Sequence, residues 1–470
     1  MPHPSYEAGP WTDFPAWARV ADVTSIALVV VAATIAISGG FRTRVGAVHV
    51  ALTSPGRLLL WAAAIVALRH AFVRRQSATT YLVARMAAAR RSEAVRASAG
   101  VTLVTRLVMF AVGYLALLTL GYAPGAAPFH EFSSELLNLP LRWDAGWYLQ
   151  IATGGYQFVR DAGPDLQQNV VFFPAYPMVV RAVALLFGNS MGAYVLGGTV
   201  ASVALFGVGL AYVFRIGRRV LDEERTTAAL WLMATYPFAI FFGAIYSESL
   251  FLAAAAGAFD HLQRHEWRRA AAWAFVLGLA RPPGGLVALP LAVAVFDEAR
   301  RTRLWRAPAI LVAVMPLAGV ACYSLFVWHL TGSPLAWASG HAAWGRHYTG
   351  LTRLVSDRYN FIATAGVATY VRERPYDLLN TLGLVVSLAS IVPLATRFSP
   401  ALALLVAVDV LPGAAVGGML SMGRFSSVAF PVFLWLAYAV PARQRTAWIA
   451  GFASLQALAA ALFYTWRPLF

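Results

Sequence analysis

The chain has 470 residues, 59% hydrophobic and only 12% charged, with a mean hydropathy of +0.64 and apolar runs that repeatedly reach bilayer-spanning length, which excludes a soluble globular domain and implies an integral membrane protein. A formal charge of +16 without a single lysine does not imply a nucleic-acid surface, because the arginines punctuate hydrophobic segments instead of lining one soluble face. Cys322 is the sole cysteine, which excludes intramolecular disulfides, zinc clusters and CxxC redox chemistry.

In chain order, the first twenty residues show no basic stretch, short apolar core and cleavage site, so no signal peptide is expected. Apolar stretches then follow at roughly Ile26–Gly40, Leu58–Val73, Val101–Tyr122, Gly192–Phe214, Thr227–Tyr246, Leu250–His261, Ala270–Phe296, Ala307–Leu330, Leu378–Ala395, Ala401–Leu420, Ser427–Val440 and Trp448–Tyr464. Short loops rich in arginine stay in the cytoplasm. The clusters are Arg74, Arg75, Arg85, Arg90, Arg91 and Arg96; Arg215, Arg218, Arg219 and Arg225; Arg264, Arg268 and Arg269; Arg300, Arg301, Arg303 and Arg306; and the smaller pair Arg443 and Arg445. Arg42 and Arg44 fall outside under this scheme.

Parity settles two regions. Arg96 and Arg215 share a side, so Val101–Tyr122 and Gly192–Phe214 are the only crossings between them. Phe172–Phe187 is then not a third: from Pro177 onward it makes about 16 Å of helix against about 30 Å of hydrocarbon. It is expected to lie along the outer surface, with Pro174 and Pro177 at a helix start, where a missing N–H costs little. Both flanks of Ala270–Phe296 are arginine-rich, so it reads as two short helices broken at Arg281-Pro282-Pro283-Gly284-Gly285. The expected fold is an all-α polytopic bundle of about 11–13 membrane helices. Residues 1–100 read as an amino-terminal extension with two spans and an arginine-rich cytoplasmic segment. Residues 101–470 read as the main membrane module, with external loops at about 123–190 and 331–376.

The candidate chemistry gathers on the external side. In Arg142-Trp143-Asp144-Ala145-Gly146-Trp147-Tyr148, the residues Asp144, Trp147, Tyr148 and Ile151 share one helix face. Aromatic rings suit the C–H face of a sugar, and a carboxylate at the lipid–water boundary can take a proton from a hydroxyl. The structural alternative is an interfacial belt of Trp143, Trp147 and Tyr148 with Asp144 paired to Arg142. Glu248, in Tyr246-Ser247-Glu248-Ser249, either holds acceptor hydroxyls or caps a helix. Arg281, at the broken helix, is a phosphate-ligand candidate because a cation at that depth needs an anion or a water-filled cavity. Arg346 and His347, in the second external loop with Trp337, His341 and Trp344, are weighed against a solvated loop, and Arg424 follows a span end. An acid facing several arginines suits transfer from a lipid-linked sugar phosphate, the leaving phosphate being stabilised by fixed cations. No metal or other cofactor is expected, because no DxD-like pair is evident in the external loops.

These residues resemble the PIG-V-like mannosyltransferases. The resemblance runs from about Leu103 to Pro431. It rests on Trp143-Asp144 followed by Ile151-Ala152 and Gly155-Tyr156, on Phe172-Phe173-Pro174-Ala175-Tyr176-Pro177, and on Ala244-Ile245-Tyr246-Ser247-Glu248-Ser249-Leu250. Weaker echoes are Arg281-Pro282-Pro283-Gly284, Thr331-Gly332-Ser333-Pro334-Leu335 and Gly423-Arg424-Phe425. The resemblance implies a GT-C-type helical fold, a polyprenyl-phosphate sugar as donor, and Asp144 as the acid near the reaction centre. Two features depart from the family: Pro282 and Pro283 stand where it usually shows Ser-Asn, and the extension through Arg96 has no counterpart there.

The expected function is therefore a membrane hexosyltransferase, a mannosyltransferase, acting on the outer face of a bacterial cytoplasmic membrane. Its acceptor would be a glycolipid, a glycan or a protein hydroxyl, with no nucleic-acid partner. Alternatives are a lipid-linked glycan flippase or transporter, although no internal repeat is visible, or a glycan polymerase or ligase.

Overall fold

The computed structural model describes residues 15–38, 41–45, 48–52, 55–73, 92–160, 163, 165–348 and 350–467. Arg74, Arg75, Arg85, Arg90 and Arg91 lie outside the described residues, as do residues 1–14 on which the signal-peptide reading partly rests.

The chain is a multi-pass, helical integral membrane protein. Among the described residues one element departs from the all-α expectation: Phe41–Val45 pairs antiparallel with Val48–Leu52, Thr43 opposite Val50 and Val45 opposite Val48. Thr43 and Val45 on the first strand and Val48 and Val50 on the second are β-branched and two positions apart within each strand, the pattern that favours a strand. Arg42 and Arg44, which the charge scheme left outside, lie on the first of these strands. The flanking helices Ala16–Ser38 and Pro55–Phe72 pack on each other. Between them, Arg69 meets Asp22 through two contacts, Nε to Oδ1 at 3.0 Å and Nη2 to Oδ2 at 3.1 Å, a fork geometry that satisfies both buried charges.

Among the described residues six helices combine spanning length with high hydropathy: Glu93–Leu120, Met191–Gly217, Ala307–Thr331, Pro375–Arg397, Pro400–Gly417 and Ala442–Tyr464. The other expected crossings downstream of Arg96 are built of shorter pieces. Thr227–Tyr246 is a helix over Glu223–Thr235 followed by a 3-10 turn over Pro237–Phe242. Ala270–Phe296 is Trp267–Ala280, a 3-10 turn over Pro282–Val287, and Ala288–Thr302, divided at the prolines as expected. Ser427–Val440 becomes Met422–Val428 and Phe430–Ala439. The physical reason is proline, which removes the N–H a continuing helix needs.

A break inside a bilayer is tolerated where the freed backbone groups find new partners. Arg106, buried on Glu93–Leu120, donates to the carbonyls of Ala234 (2.8 Å) and Ala239. Gln456 donates to those of Ala234 (2.9 Å) and Tyr236 (3.0 Å). Two side chains from distant helices thus repair the break before Pro237. Nearby, Glu248–Gln263 is buried along nearly its whole length, which marks it as the innermost helix. It packs against Met191–Gly217 and Trp267–Ala280.

Phe172–Phe187 is not a crossing: its helix, Ala175–Ala184, has ten residues, about 15 Å of rise. Pro174 takes the position before the helix and Pro177 lies in its first turn. Its buried face is Tyr176, Pro177, Val180 and Ala184, a four-residue period that seats it against Met191–Gly217 and Ala145–Gly154. The segment 331–376, expected as a loop, contains Ala336–Ser339, a 3-10 turn over Gly340–Trp344, Gly350–Ala365 and Val367–Glu373.

Candidate active site

Asp144 stands immediately before the helix Ala145–Gly154. An aspartate there ordinarily accepts from the first backbone N–H groups, yet its side chain makes no such bond. Instead Oδ2 accepts from Arg424 Nη1 at 2.8 Å, and the side chain stays 23% exposed. Trp143, just upstream, has φ +54°, a left-handed conformation that strains a bulky residue by about 1–3 kcal/mol. It is held by Nε1 donating to the Phe463 carbonyl at 3.3 Å and by the Trp466 ring at 4.9 Å. The Tyr246 hydroxyl accepts from the Asp144 N–H at 2.9 Å and donates to the Arg142 carbonyl at 3.3 Å. Three outside contacts thus fix the turn that presents the carboxylate.

Arg424 reaches this carboxylate from the short helix Met422–Val428, which is pinned on three sides. Asn380 Oδ1 accepts from the Gly423 N–H at 2.7 Å, Tyr236 and Ser426 share a hydroxyl hydrogen bond of 2.8 Å, and the Phe238 ring fills the place a Cβ on Gly423 would need. Ser421 at its start has φ +64°. Arg424 also bonds Glu248 through Nε, and its Cζ lies 4.6 Å from the Tyr246 ring centroid. Glu248 is fully buried at the first position of its helix, where the dipole favours a carboxylate. Its Oε1 is 3.2 Å from Arg281 Nη1, so one acid holds two arginines.

A cavity of about 630 Å³ opens beside this cluster. Asp144, Tyr148, Arg281, Arg346 and Arg424, all singled out in the sequence, line it together. Phe425 spaces two of its cations: Arg281 Cζ lies 5.0 Å and Arg346 Cζ 5.4 Å from the ring centroid. Arg346 has no acid within ion-pair distance among the described residues. Its pKa is lowered to about 10 by burial first and then by Arg424 and Arg281. His341, also lining the cavity, is pushed down to about 4 by burial and by Arg346, and is therefore neutral at physiological pH. The rest of the wall is largely aromatic and aliphatic, including Phe172, Trp337, Trp344, Pro412 and Val416.

The other sequence candidates stand elsewhere. Glu248 and Tyr246 sit behind the wall and brace Arg424 and Asp144. Trp147 stacks on Phe172 at 5.8 Å and meets Trp344 edge-on at 5.7 Å, supporting the aromatic wall. Trp143 faces Trp466, outside the cavity lining. Arg142 does not pair with Asp144: it is fully buried and donates to the carbonyls of Tyr464, Asn138 and Leu141 and to the Tyr122 hydroxyl. Those bonds leave it no role at the cavity. His347 is exposed and outside the lining.

One acid was missed. Asp409 lies on Pro400–Gly417 three, four and seven residues before the cavity-lining Pro412, Gly413 and Val416, on the same helix face. It is 2% exposed, and among the described residues neither carboxylate oxygen has a hydrogen-bond partner. Arg281 is near enough to interact with it electrostatically. Its only sequence signal was a lone acid within an apolar span, the kind of group that marks a functional pathway.

No curated protein matches the chain. Among solved structures it is similar to the Archaeoglobus fulgidus oligosaccharyltransferase, crystallised with a tethered acceptor peptide, at 13% identity and a TM-score of 0.39. That match covers 78% of this chain and 55% of the other, so the chain spans about half the length of that protein. Residues 120–295 match the family described as Mannosyltransferase (PIG-V), a shorter stretch than the resemblance from Leu103 to Pro431, and one that holds Asp144, Glu248 and Arg281 but neither Arg346 nor Arg424. Over residues 120–295, less than half of its length, the chain is similar to the PIG-V-like mannosyltransferase family.

Proposed function

We propose that the chain is a GT-C-type membrane glycosyltransferase, a mannosyltransferase, that takes a hexose from a polyprenyl-phosphate sugar on the outer face of a bacterial cytoplasmic membrane. The family match over residues 120–295 supports the reaction class. The observation that carries the reading is the meeting of one carboxylate, Asp144, with three guanidinium groups, Arg281, Arg346 and Arg424, around one cavity.

The acceptor, a hydroxyl of a glycolipid, glycan or protein, donates its proton to Asp144 Oδ1, since Arg424 holds Oδ2. Its oxygen bonds the sugar C1 as the C1–phosphate oxygen bond breaks from the opposite face, inverting the centre. The electron pair leaves with polyprenyl phosphate, whose charge falls among the three arginines. Arg346 is the best placed to take it up, because among the described residues no carboxylate lies within ion-pair distance of it. Trp337, Trp344 and Phe172 offer rings and apolar edges to the sugar face or the first prenyl units. Residues 101–470 would form the catalytic module and residues 1–100 an extension to it.

The test is donor chemistry. Purified protein incubated with polyprenyl-phosphate mannose and mixed membrane lipids is expected to release polyprenyl phosphate and form a mannosylated product. Movement of a lipid-linked glycan across the bilayer without bond cleavage would favour a flippase instead.

A further inference from the structure

A second groove, of about 530 Å³, opens between Glu223–Thr235, Pro375–Arg397 and Phe430–Ala439. Three helices place it at the end of the bundle away from Asp144. Glu223–Thr235 starts there with Arg225 and runs toward Glu248. Pro375–Arg397 ends there with Arg397. Phe430–Ala439 leaves the Arg424 helix and reaches the groove at Tyr438.

Two guanidinium groups lie against one ring in it. Arg225 Cζ and Arg397 Cζ each lie 5.6 Å from the Tyr438 centroid, and Arg397 Nη1 donates to the Tyr438 hydroxyl at 2.8 Å. Little neutralises them. Among the described residues no carboxylate pairs with Arg397, and Arg225 has only Asp222 at 3.3 Å, a solvent-exposed pair of the weak kind. Arg225 Nε is moreover buried without a hydrogen-bond partner among the described residues. The groove is apolar on its other side, at Val392, Pro393 and Trp435. An exposed stripe on Pro375–Arg397 leads into it: Leu382 is 50% exposed, Val385 53%, Leu388 38% and Val392 70%. These positions share one helix face and cover about 15 Å of its length, comparable to much of an acyl chain.

From this arrangement we infer that the groove binds the headgroup of an anionic glycerophospholipid. The phosphate diester sits between Arg225 and Arg397, and an acyl chain lies along the 382–392 stripe. Guanidinium groups form paired hydrogen bonds to phosphate, and basic pockets between membrane helices are natural headgroup sites. Pro375–Arg397 has the length and hydropathy of a span, so its apolar stripe faces acyl chains and an anion at its end is next to bilayer lipid, which favours the lipid over free phosphate.

The full chain, purified and delipidated in mild detergent, would be titrated with phosphatidylglycerol, phosphatidylcholine or inorganic phosphate, with bound lipid read by native mass spectrometry and by thermal shift. Phosphatidylglycerol is expected to bind and raise Tm, and the other two are not. The R225Q/R397Q double variant should weaken phosphatidylglycerol binding by about 10–30-fold. R300Q/R301Q, which removes two exposed arginines of another helix, should leave it unchanged. Equal losses in both variants would mean diffuse charge attraction and would overturn the site, as would equal binding of phosphatidylcholine or saturable binding of inorganic phosphate at the same arginines. The readout is binding, so it stands whether or not the chain transfers mannose.

Discussion

Arg346 lies outside the spans in surroundings unlike those of an ordinary solvated arginine. Burial and two neighbouring cations bring its pKa to about 10, so its charge is complete at neutral pH and is lost as pH rises through that value. If it receives the donor phosphate, KM for the donor should rise steeply as pH approaches 10, with kcat less affected. Arg346→Gln should start from a raised KM and lack the inflection; an unchanged donor KM in that variant would exclude this role. His341, neutral well above pH 4, should contribute no inflection near 6.5. Asp144 was readable from its setting among aromatics, and Arg281 from the cost of a cation at a helix break. Arg142 was not: adjacency to Asp144 suggested a pair, but the left-handed backbone at Trp143 turns the two side chains into different surroundings. Asp409 escaped notice because a single acid is diluted in the hydropathy of Ala401–Leu420.

At the scale of elements, the site depends on short helices ending where proline breaks them. Arg281 stands at the junction of Trp267–Ala280 with its 3-10 turn, Glu248 opens the innermost helix, and Arg424 rides on Met422–Val428. The last has least room to adjust, because Gly423 lies against the Phe238 ring. Gly423→Ala should therefore cost about 1–3 kcal/mol, the usual penalty of overpacking, and should reduce turnover by displacing Arg424. An unchanged Tm and full activity in that variant would show that the contact is slack. The helix pair around Pro282 and Pro283 and the non-crossing helix near Pro177 were legible, since proline and parity act locally. The repair of the Pro237 break by Arg106 and Gln456 was not, because it joins residues more than a hundred positions apart. The hairpin at 41–52 was missed because a search for apolar runs passes over a two-residue period.

For the whole molecule, arginine clusters and crossing parity predict which loops share a side, and the cavity gathers Asp144, Arg281, Arg346 and Arg424 from segments assigned to one side by that reasoning. Their assembly across as many as 280 positions was legible only as a shared side, never as contacts. The orientation is open to direct measurement. With Cys322 replaced by serine, Tyr348→Cys, at a position 81% exposed, should react in intact cells with a membrane-impermeant maleimide. Arg300→Cys should react only after permeabilisation, and the reverse pattern would turn the site toward the cytoplasm.

The central claim, that Asp144 takes the acceptor proton in this cavity, is tested most directly by donor binding and turnover of Asp144→Asn beside the wild type in the polyprenyl-phosphate mannose assay. The expected result is a folded variant that retains donor binding while turnover falls by about 10²–10⁴-fold, the range for loss of a general base. Wild-type turnover from that variant would contradict the account.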